Sequence, residues 1–445
     1  MKVLWLCNIA LPMAARQLGL EASNKEGWVG GMAESVLAGH GENHIELSVA
    51  FPLPQSMFSP GQEVRSGIVA TEGGRRFSFY GFPEDVNHAE KYDKRLEPAL
   101  EKIVSIVEPD IVHCFGTEYP HTLAMCRIFP KKDRLLLGLQ GLCTFVAQGY
   151  YADLPERVIR SVTLRDWLKK DCLRRQQEKF ALRGDMEREA VGLAGNITGR
   201  TRWDRMHVEA WNPKARYHEM NESLRSEFYG PVWRAQECEA HSIFLSQGDY
   251  PLKGLHYMLL ALPEILKKYP DTKLYVAGNS LVAYQTLKQK LKISAYGKYL
   301  RSLLKEKGLE GRVAFLGKLD AGQMRDRYLK SNLFVCCSSV ENSPNSLGEA
   351  MLLGVPCVCA DVGGIPSIFT ENVDGITYRG FSPQAAAGDE GLNAVSGRLA
   401  EAVIQMWSDS ARRDEYCRNA RNHALRTHDR ERNYQKLVEI YEKIL

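Results

Sequence analysis

The chain has 445 residues, of which 44% are hydrophobic and 25% charged, with a formal net charge of +4. That length favours two domains, and the ordinary composition excludes a disordered or fibrous chain. No basic stripe interleaved with aromatics appears, which argues against a nucleic-acid partner, and no run of about 18 apolar residues exists to form a membrane-spanning helix.

The N-terminal run Lys2-Val3-Leu4-Trp5-Leu6 passes into Asn8 and Pro12 without a cleavage pattern. It reads as a buried strand, not an export signal. Further strands are expected over 3–7, 46–51, 111–115, 135–138 and 196–198, then over 242–246, 273–277, 313–316, 333–337 and 355–360. Helix-period segments lie between them, over 98–107, 255–268, 284–307, 321–330 and 348–353. Strands alternating with helices imply parallel sheets built from βαβ units. Two such series in succession predict two doubly wound α/β domains, with a boundary in the polar stretch 230–241 and a charged helical tail over 408–445. Open parallel sheets take ligands at the carboxyl ends of their strands. The eleven scattered cysteines contain no Cys-x-x-Cys, so reduced thiols in a cytoplasmic protein are expected.

Several polar features of the first series stand where strands should end. Gly30-Gly31, in Gly27-Trp-Val-Gly-Gly-Met32, reads as a loop that lets backbone approach a ligand. His113 closes the run Asp110-Ile-Val-His113, with Glu118 shortly after. An imidazole there can donate to a hydroxyl, or be a buried structural histidine. The stretch 157–188 reads as one long basic helix carrying Leu164, Trp167, Leu168, Leu173 and Phe180. A basic amphipathic helix suits an anionic lipid surface; a solvated helix balanced by Glu156, Asp166, Asp171 and Glu178 accounts for the same pattern. Arg200 sits in an unusually polar stretch at the end of the first series, where it either serves an anionic ligand or makes an ion pair.

The second series holds the most informative segments. In Phe244-Leu-Ser-Gln247-Gly-Asp-Tyr-Pro-Leu-Lys253-Gly254, a strand runs through a loop into a helix whose start carries an ammonium. In Cys337-Ser-Ser-Val-Glu341-Asn-Ser-Pro344-Asn345-Ser346-Leu347-Gly-Glu349, another strand leads through a polar loop into a helix. The free amides of a helix start, aided by the helix dipole, favour an anion. Two glutamates eight residues apart, Glu341 and Glu349, can reach separate hydroxyls of one extended ligand. The bland alternative is that Ser343 and Ser346 cap the helix and Glu349 is a solvated face residue.

Taken with the following Ala350-Met351, Gly354-Val355-Pro356 and Gly363-Gly364, this segment resembles the Glu-x7-Glu signature of family 4 glycosyltransferases, including bacterial polysaccharide-assembly members. The resemblance implies the GT-B fold: two Rossmann-like domains facing each other across a cleft, with a C-terminal helix crossing back to the first. The expected bounds are 1–235 for an acceptor-binding domain, 236–425 for a donor-binding domain and 426–445 for the returning helix. It further implies a retaining, metal-independent hexosyltransferase in cell-surface polysaccharide synthesis, moving a sugar from a nucleotide-diphosphate sugar to a glycan or lipid-linked acceptor. No cofactor and no metal ligands are expected. Such an enzyme would work in the cytoplasm, at the inner face of the membrane, with peripheral contact to it.

By the same resemblance, Glu341, Lys253 and His113 are the catalytic residues, with Glu341 positioning the donor sugar and Lys253 meeting the diphosphate. Glu349 holds the ribose; the amides of Asn345, Ser346 and Leu347 meet the sugar or diphosphate; Gly30 and Gly31 lie over the diphosphate. Glu118 and Gln140 face the acceptor. Two departures stand out. Gln247 occupies the position of the family's diphosphate-clamping arginine, for which Arg200 is the candidate substitute, and Ser343-Pro344 replaces an aromatic-glycine pair. These departures keep open a second reading, a non-catalytic sugar-nucleotide-binding protein with a decayed site.

Overall fold

The computed structural model describes residues 1–445 except 21–26, 39–44, 71–75, 285 and 384–387. The chain folds as two compact units. Unit one comprises Met1–Thr144, Lys179–Arg225 and Thr427–Leu445; unit two comprises Phe145–Glu178 and Ser226–Arg426.

Unit one is built on eight strands: β1 (Lys2–Cys7), β2 (Glu46–Leu53), β3 (Arg65–Ala70), β4 (Arg76–Pro83), β5 (Ile111–Phe115), β6 (Leu135–Gly138), β7 (Asn196–Gly199) and β8 (Arg216–Glu219). Their order is β3-β4-β2-β1-β5-β6-β7-β8. All neighbours are parallel except β3, which runs antiparallel to β4 at one edge. The central strands are buried on both faces, which is why they read as unbroken apolar runs. Trp5, Phe51 and Phe115 fill one core. The C-terminal helix Arg430–Ile444 packs into that core through Tyr434, Leu437, Val438 and Tyr441. That spacing lays one apolar stripe along the helix, and each such side chain stabilises by about 1.5–3 kcal/mol when buried. Asp429 caps the helix by accepting from the Arg432 amide at 2.8 Å.

Unit two carries six parallel strands: β9 (Glu239–Leu245), β10 (Lys273–Ala277), β11 (Val313–Gly317), β12 (Ser331–Cys336), β13 (Cys357–Asp361) and β14 (Ile376–Arg379). Their order is β11-β10-β9-β12-β13-β14. In each sheet the strand order reverses at one place, between β1 and β5 and between β9 and β12. A doubly wound sheet opens a ligand crevice at that switch point, outside the carboxyl ends of the strands.

Three local expectations are corrected. The segment 284–307 is two helices, Leu287–Lys292 and Ala295–Glu306. Ile293 is extended, and Ser294 restarts the helix by accepting from the Gly297 amide at 3.1 Å. The stretch 157–188 is likewise not one helix. Glu156–Ile159, Leu164–Lys169 and the helix Leu173–Leu193 are separated by the Thr163 capping box and a left-handed Lys170. Leu173 is buried, so the continuous apolar stripe does not form. Finally, Gly30 and Gly31 are not in a loop; they lie in the helix Gly27–Ala38. A Cβ on Gly30 would touch the Pro12 ring, and one on Gly31 would touch the Leu224 carbonyl and Arg430. Both serve close packing within unit one.

Candidate functional site

In unit two, the loops after β9 and β12 meet at the switch point. The Ser339 amide donates to the Leu252 carbonyl at 2.8 Å, zipping one loop to the other. Gly254 follows Lys253 at φ 72°, and a Cβ there would lie 1.9 Å from the Cys337 carbonyl oxygen. Only glycine allows both that backbone conformation and that approach.

This zipper brings Lys253 and Glu341 together. Lys253 Nζ donates to Glu341 Oε1 at 2.6 Å, and Ser338 Oγ donates to the same oxygen at 2.7 Å. The two side chains keep 19% and 13% of their surface exposed. Burial opposes the ammonium charge, but the Glu341 carboxylate outweighs it and holds Lys253 protonated well above the ordinary lysine range. Gly363, at φ 54°, lies under Glu341: a Cβ there would stand 2.0 Å from the Glu341 carbonyl oxygen. The Gly364 amide donates to that carbonyl at 2.9 Å. The Gly-Gly turn therefore fixes the backbone of Glu341.

The helix Asn345–Leu353 begins beside this pair. Its N-cap is Pro344, which supplies no side-chain cap. The first internal bond near its start is from the Leu347 amide to the Pro344 carbonyl at 3.0 Å. The amides of Asn345 and Ser346 precede it, at the positive end of the helix dipole. Ser343 and Ser346 are not its caps. Tyr328 Oη donates to the Ser346 carbonyl at 2.9 Å and steadies this first turn. Glu349 is buried within the helix, not a solvated face residue. Gln247 lies half-buried in the loop after β9. Gln247, Lys253, Glu341, Asn345, Ser346, Leu347 and Glu349 thus share one unit, while His113, Glu118, Gln140, Arg200, Gly30 and Gly31 belong to the other.

In unit one, His113 on β5 is fully buried and stacks on Phe115 at 3.9 Å. Burial pushes its imidazole down to about 3, so the ring is neutral at ordinary pH. Nδ1 bonds Tyr441 Oη at 2.8 Å, and Nε2 has no partner among the described residues. A cavity of about 10 Å³, room for one water or one hydroxyl, is lined by His113, Gln140, Thr198, Arg200 and Glu222. Arg200 is buried; it pairs with Glu222, and Arg200 Nη2 donates to the Leu139 carbonyl at 3.3 Å. Gln140 Nε2 donates to Glu222 Oε1 at 3.1 Å. Arg200 therefore makes an ion pair, one held inside unit one.

Glu118 stands after β5, where Oε1 accepts from the Gly141 amide at 3.1 Å. Beside it lies Glu187, which sequence patterns did not single out. Burial pushes Glu187 up to about 8, although Thr117 Oγ1 donates to it at 2.7 Å. Also unforeseen is a buried chain at the end of β1: His121 Nδ1 meets Glu84 Oε2 at 2.6 Å, and Nε2 meets Asn8 Oδ1 at 3.0 Å. Nothing in spacing marks these residues, because folding alone brings together Asn8, Glu84 and His121.

Residues 236–423 match the family described as Glycosyl transferases group 1. The match covers the β9 and β12 loops that hold Lys253 and Glu341. An uncharacterized glycosyltransferase of Methanocaldococcus jannaschii is 28% identical over 152 residues, 34% of this chain and 35% of that protein. A phosphatidyl-myo-inositol mannosyltransferase of Mycobacterium tuberculosis is 26% identical over 204 residues, 45% of this chain and 47% of that protein. The chain thus matches between about a third and a half of the length of these curated relatives. Among solved structures, Anabaena HepE in complex with UDP-glucose matches with a TM-score of 0.64 at 16% identity, covering 100% of both chains. At that identity the likeness is one of fold, and it identifies the two mainly parallel-sheet units of this chain as the GT-B fold.

Proposed function

We propose that the chain is a retaining, metal-independent hexosyltransferase that moves a sugar from a nucleotide-diphosphate sugar to a glycan or lipid-linked acceptor in cell-surface polysaccharide synthesis. The observation that carries this reading is the 2.6 Å contact of Lys253 with Glu341 beside an uncapped helix start. Lys253, its charge favoured by Glu341, and the amides of Asn345 and Ser346 supply fixed positive charge where a diphosphate leaves. Such charge is worth most in a partly dehydrated site and needs no reorganisation during the reaction. Glu341, fixed by Ser338 and Gly363, positions the sugar hydroxyls, and Glu349 takes the ribose. In unit one, His113 offers a neutral ring to a hydroxyl, and Glu118 and Gln140 serve the acceptor. Gly30 and Gly31 shape the unit-one helix near its ligand edge, and Gln247 lines the diphosphate side. Arg200 contributes through its pair with Glu222.

The UDP-glucose bound by HepE and the phosphatidyl-inositol acceptor in the mycobacterial relative's name support the donor and acceptor classes. Eleven free cysteines support a reducing, cytoplasmic setting. The test is calorimetric titration with a panel of nucleotide sugars, with and without a chelator, followed by product NMR after adding acceptor. Chelator-insensitive turnover with the donor's anomeric configuration kept is expected. An inverted product or loss of turnover on chelation overturns the mechanism; binding without any transfer favours the non-catalytic reading, to which the Gln247 and Ser343-Pro344 departures lend weight.

A further inference from the structure

Helices Leu164–Lys169 and Leu287–Lys292 pack beside one another on unit two, although more than a hundred residues separate them in sequence. Together they expose a set of large apolar side chains. Trp167 is 68% exposed, Leu168 64% and Leu287 74%, with Leu164 and Leu291 also open. Isolated exposed leucines need no explanation, but a cluster built from two distant segments around a tryptophan does.

The acidic residue of the first helix is turned away from this face. Asp166 is buried; its Oδ2 accepts from the Ala295 amide at 2.9 Å, and its Oδ1 pairs with Arg165 at 2.9 Å. Asp166 therefore bolts one helix to the segment that follows the other. The second helix, Leu-Lys-Gln-Lys-Leu-Lys, has no acid at all. What faces outward is apolar or cationic: Lys169, Lys170, Lys290 and Lys292 are all exposed. Among the described residues, none of these four lysines has a carboxylate within ion-pair distance. Arg160 and Arg174, nearby in sequence, differ: both are neutralised by Glu156.

We propose that this face docks onto an anionic lipid bilayer. Its charge is complementary to such a surface, and tryptophan and leucine insert at the headgroup boundary while lysines stay at the phosphates. The platform is rigid before binding because Asp166 locks it, so little ordering cost remains.

The test is co-sedimentation of the full chain with vesicles of phosphatidylcholine alone and with added phosphatidylglycerol, together with tryptophan quenching by brominated lipid. Wild type should bind only the phosphatidylglycerol vesicles. The variant K169E/K170E/K290E/K292E should bind them at least about ten-fold more weakly, and W167S/L168S should lose the quenching. All these side chains are exposed, so far-ultraviolet circular dichroism and nucleotide-sugar binding should be unchanged; the charge variant retains the test if the serine variant is unstable. Equal binding to both vesicles, or wild-type binding by the charge variant, overturns the proposal. So does a wild-type dimer in sedimentation equilibrium that W167S/L168S abolishes, since a second copy would then be the occupant.

Discussion

Tyr441 Oη lies 2.8 Å from His113 Nδ1, joining the C-terminal helix to the middle of β5. The same hydroxyl accepts from Trp5 Nε1 at 2.8 Å. An indole nitrogen only donates, so the single phenolic hydrogen is free to go to His113. If Nδ1 accepts it, Nε2 carries the ring proton and one polar atom, Nε2–H, faces the small cavity. If Nδ1 instead donates, both the phenolic hydrogen and Nε2 are left without partners. An unsatisfied buried group costs about 1–3 kcal/mol, so the Nε2–H tautomer wins.

Nitrogen-15 NMR of His113 should therefore show the Nε2–H form from about pH 5 to pH 8. Tyr441→Phe should mix the tautomers and lower stability by about 1–3 kcal/mol, since it also orphans the Trp5 N–H. An unchanged histidine spectrum in Tyr441→Phe would refute the assignment.

Removing the charge beside the proposed leaving group should hit chemistry more than folding. Lys253→Ala is expected to lower kcat by about 10²–10³ while the melting curve stays close to wild type. Glu341→Ala should lower kcat by a comparable factor. Because the two residues touch, the double variant should be less impaired than the sum of the singles, by about 0.5–3 kcal/mol of coupling. Strictly additive losses would mean that the contact has no role in turnover.

Most strands that were legible in sequence are buried on both faces, although β11, half-buried at a sheet edge, was legible too. β5, β6 and β10 match their expected bounds because Ile111–Phe115, Leu135–Gly138 and Lys273–Ala277 are short apolar runs. The edge strands β3, β8 and β14 were missed, and so was β4 inside the first sheet. β3 reads Arg-Ser-Gly-Ile-Val-Ala and β8 reads Arg-Tyr-His-Glu, and neither carries a two-sided apolar signal. The loops after β9 and β12 were visible through their glycines and glutamates. The Lys253–Glu341 contact was not, because 88 residues separate them and only folding, through the β9–β12 pairing and the Ser339–Leu252 bond, joins their loops. The Tyr441–His113 bond spans 328 residues and lay equally beyond local pattern.

Gly363 offers a way to move Glu341 without touching its side chain. Gly363→Ala places a Cβ against the Glu341 carbonyl oxygen in a left-handed backbone conformation. Strain of about 1–3 kcal/mol follows, and it is relieved most readily by shifting the Glu341 loop. Turnover should fall by at least about ten-fold, with a weaker effect on overall stability. The control is Gly230→Ala, where nothing lies within 4 Å of the new methyl group. Equal turnover in the two variants would show that the Gly-Gly turn does not position Glu341.

Glu187 makes stability depend on pH in a separable window. Burial raises its folded value to about 8 from an ordinary 4.5, so between these limits the folded chain keeps a proton that the unfolded chain releases. Stability from this group is complete below about pH 4.5 and is lost as pH rises through about 8, by roughly 1 kcal/mol per pH unit inside the window. The buried histidines act in the opposite sense and lower down. Burial sets His113 at about 3 and His256 at about 4, so their contribution is lost as pH falls below about 6.5. Between about pH 7 and 8 the Glu187 slope therefore stands apart from theirs. Glu187→Gln keeps the acceptor for Thr117 but loses the one facing the Thr144 amide, so it should be less stable than wild type near pH 5. It has no proton to lose, so denaturant titrations near pH 8 should find the gap closed or reversed. Parallel pH profiles for the two proteins would mean that Glu187 is already ionised in the folded chain.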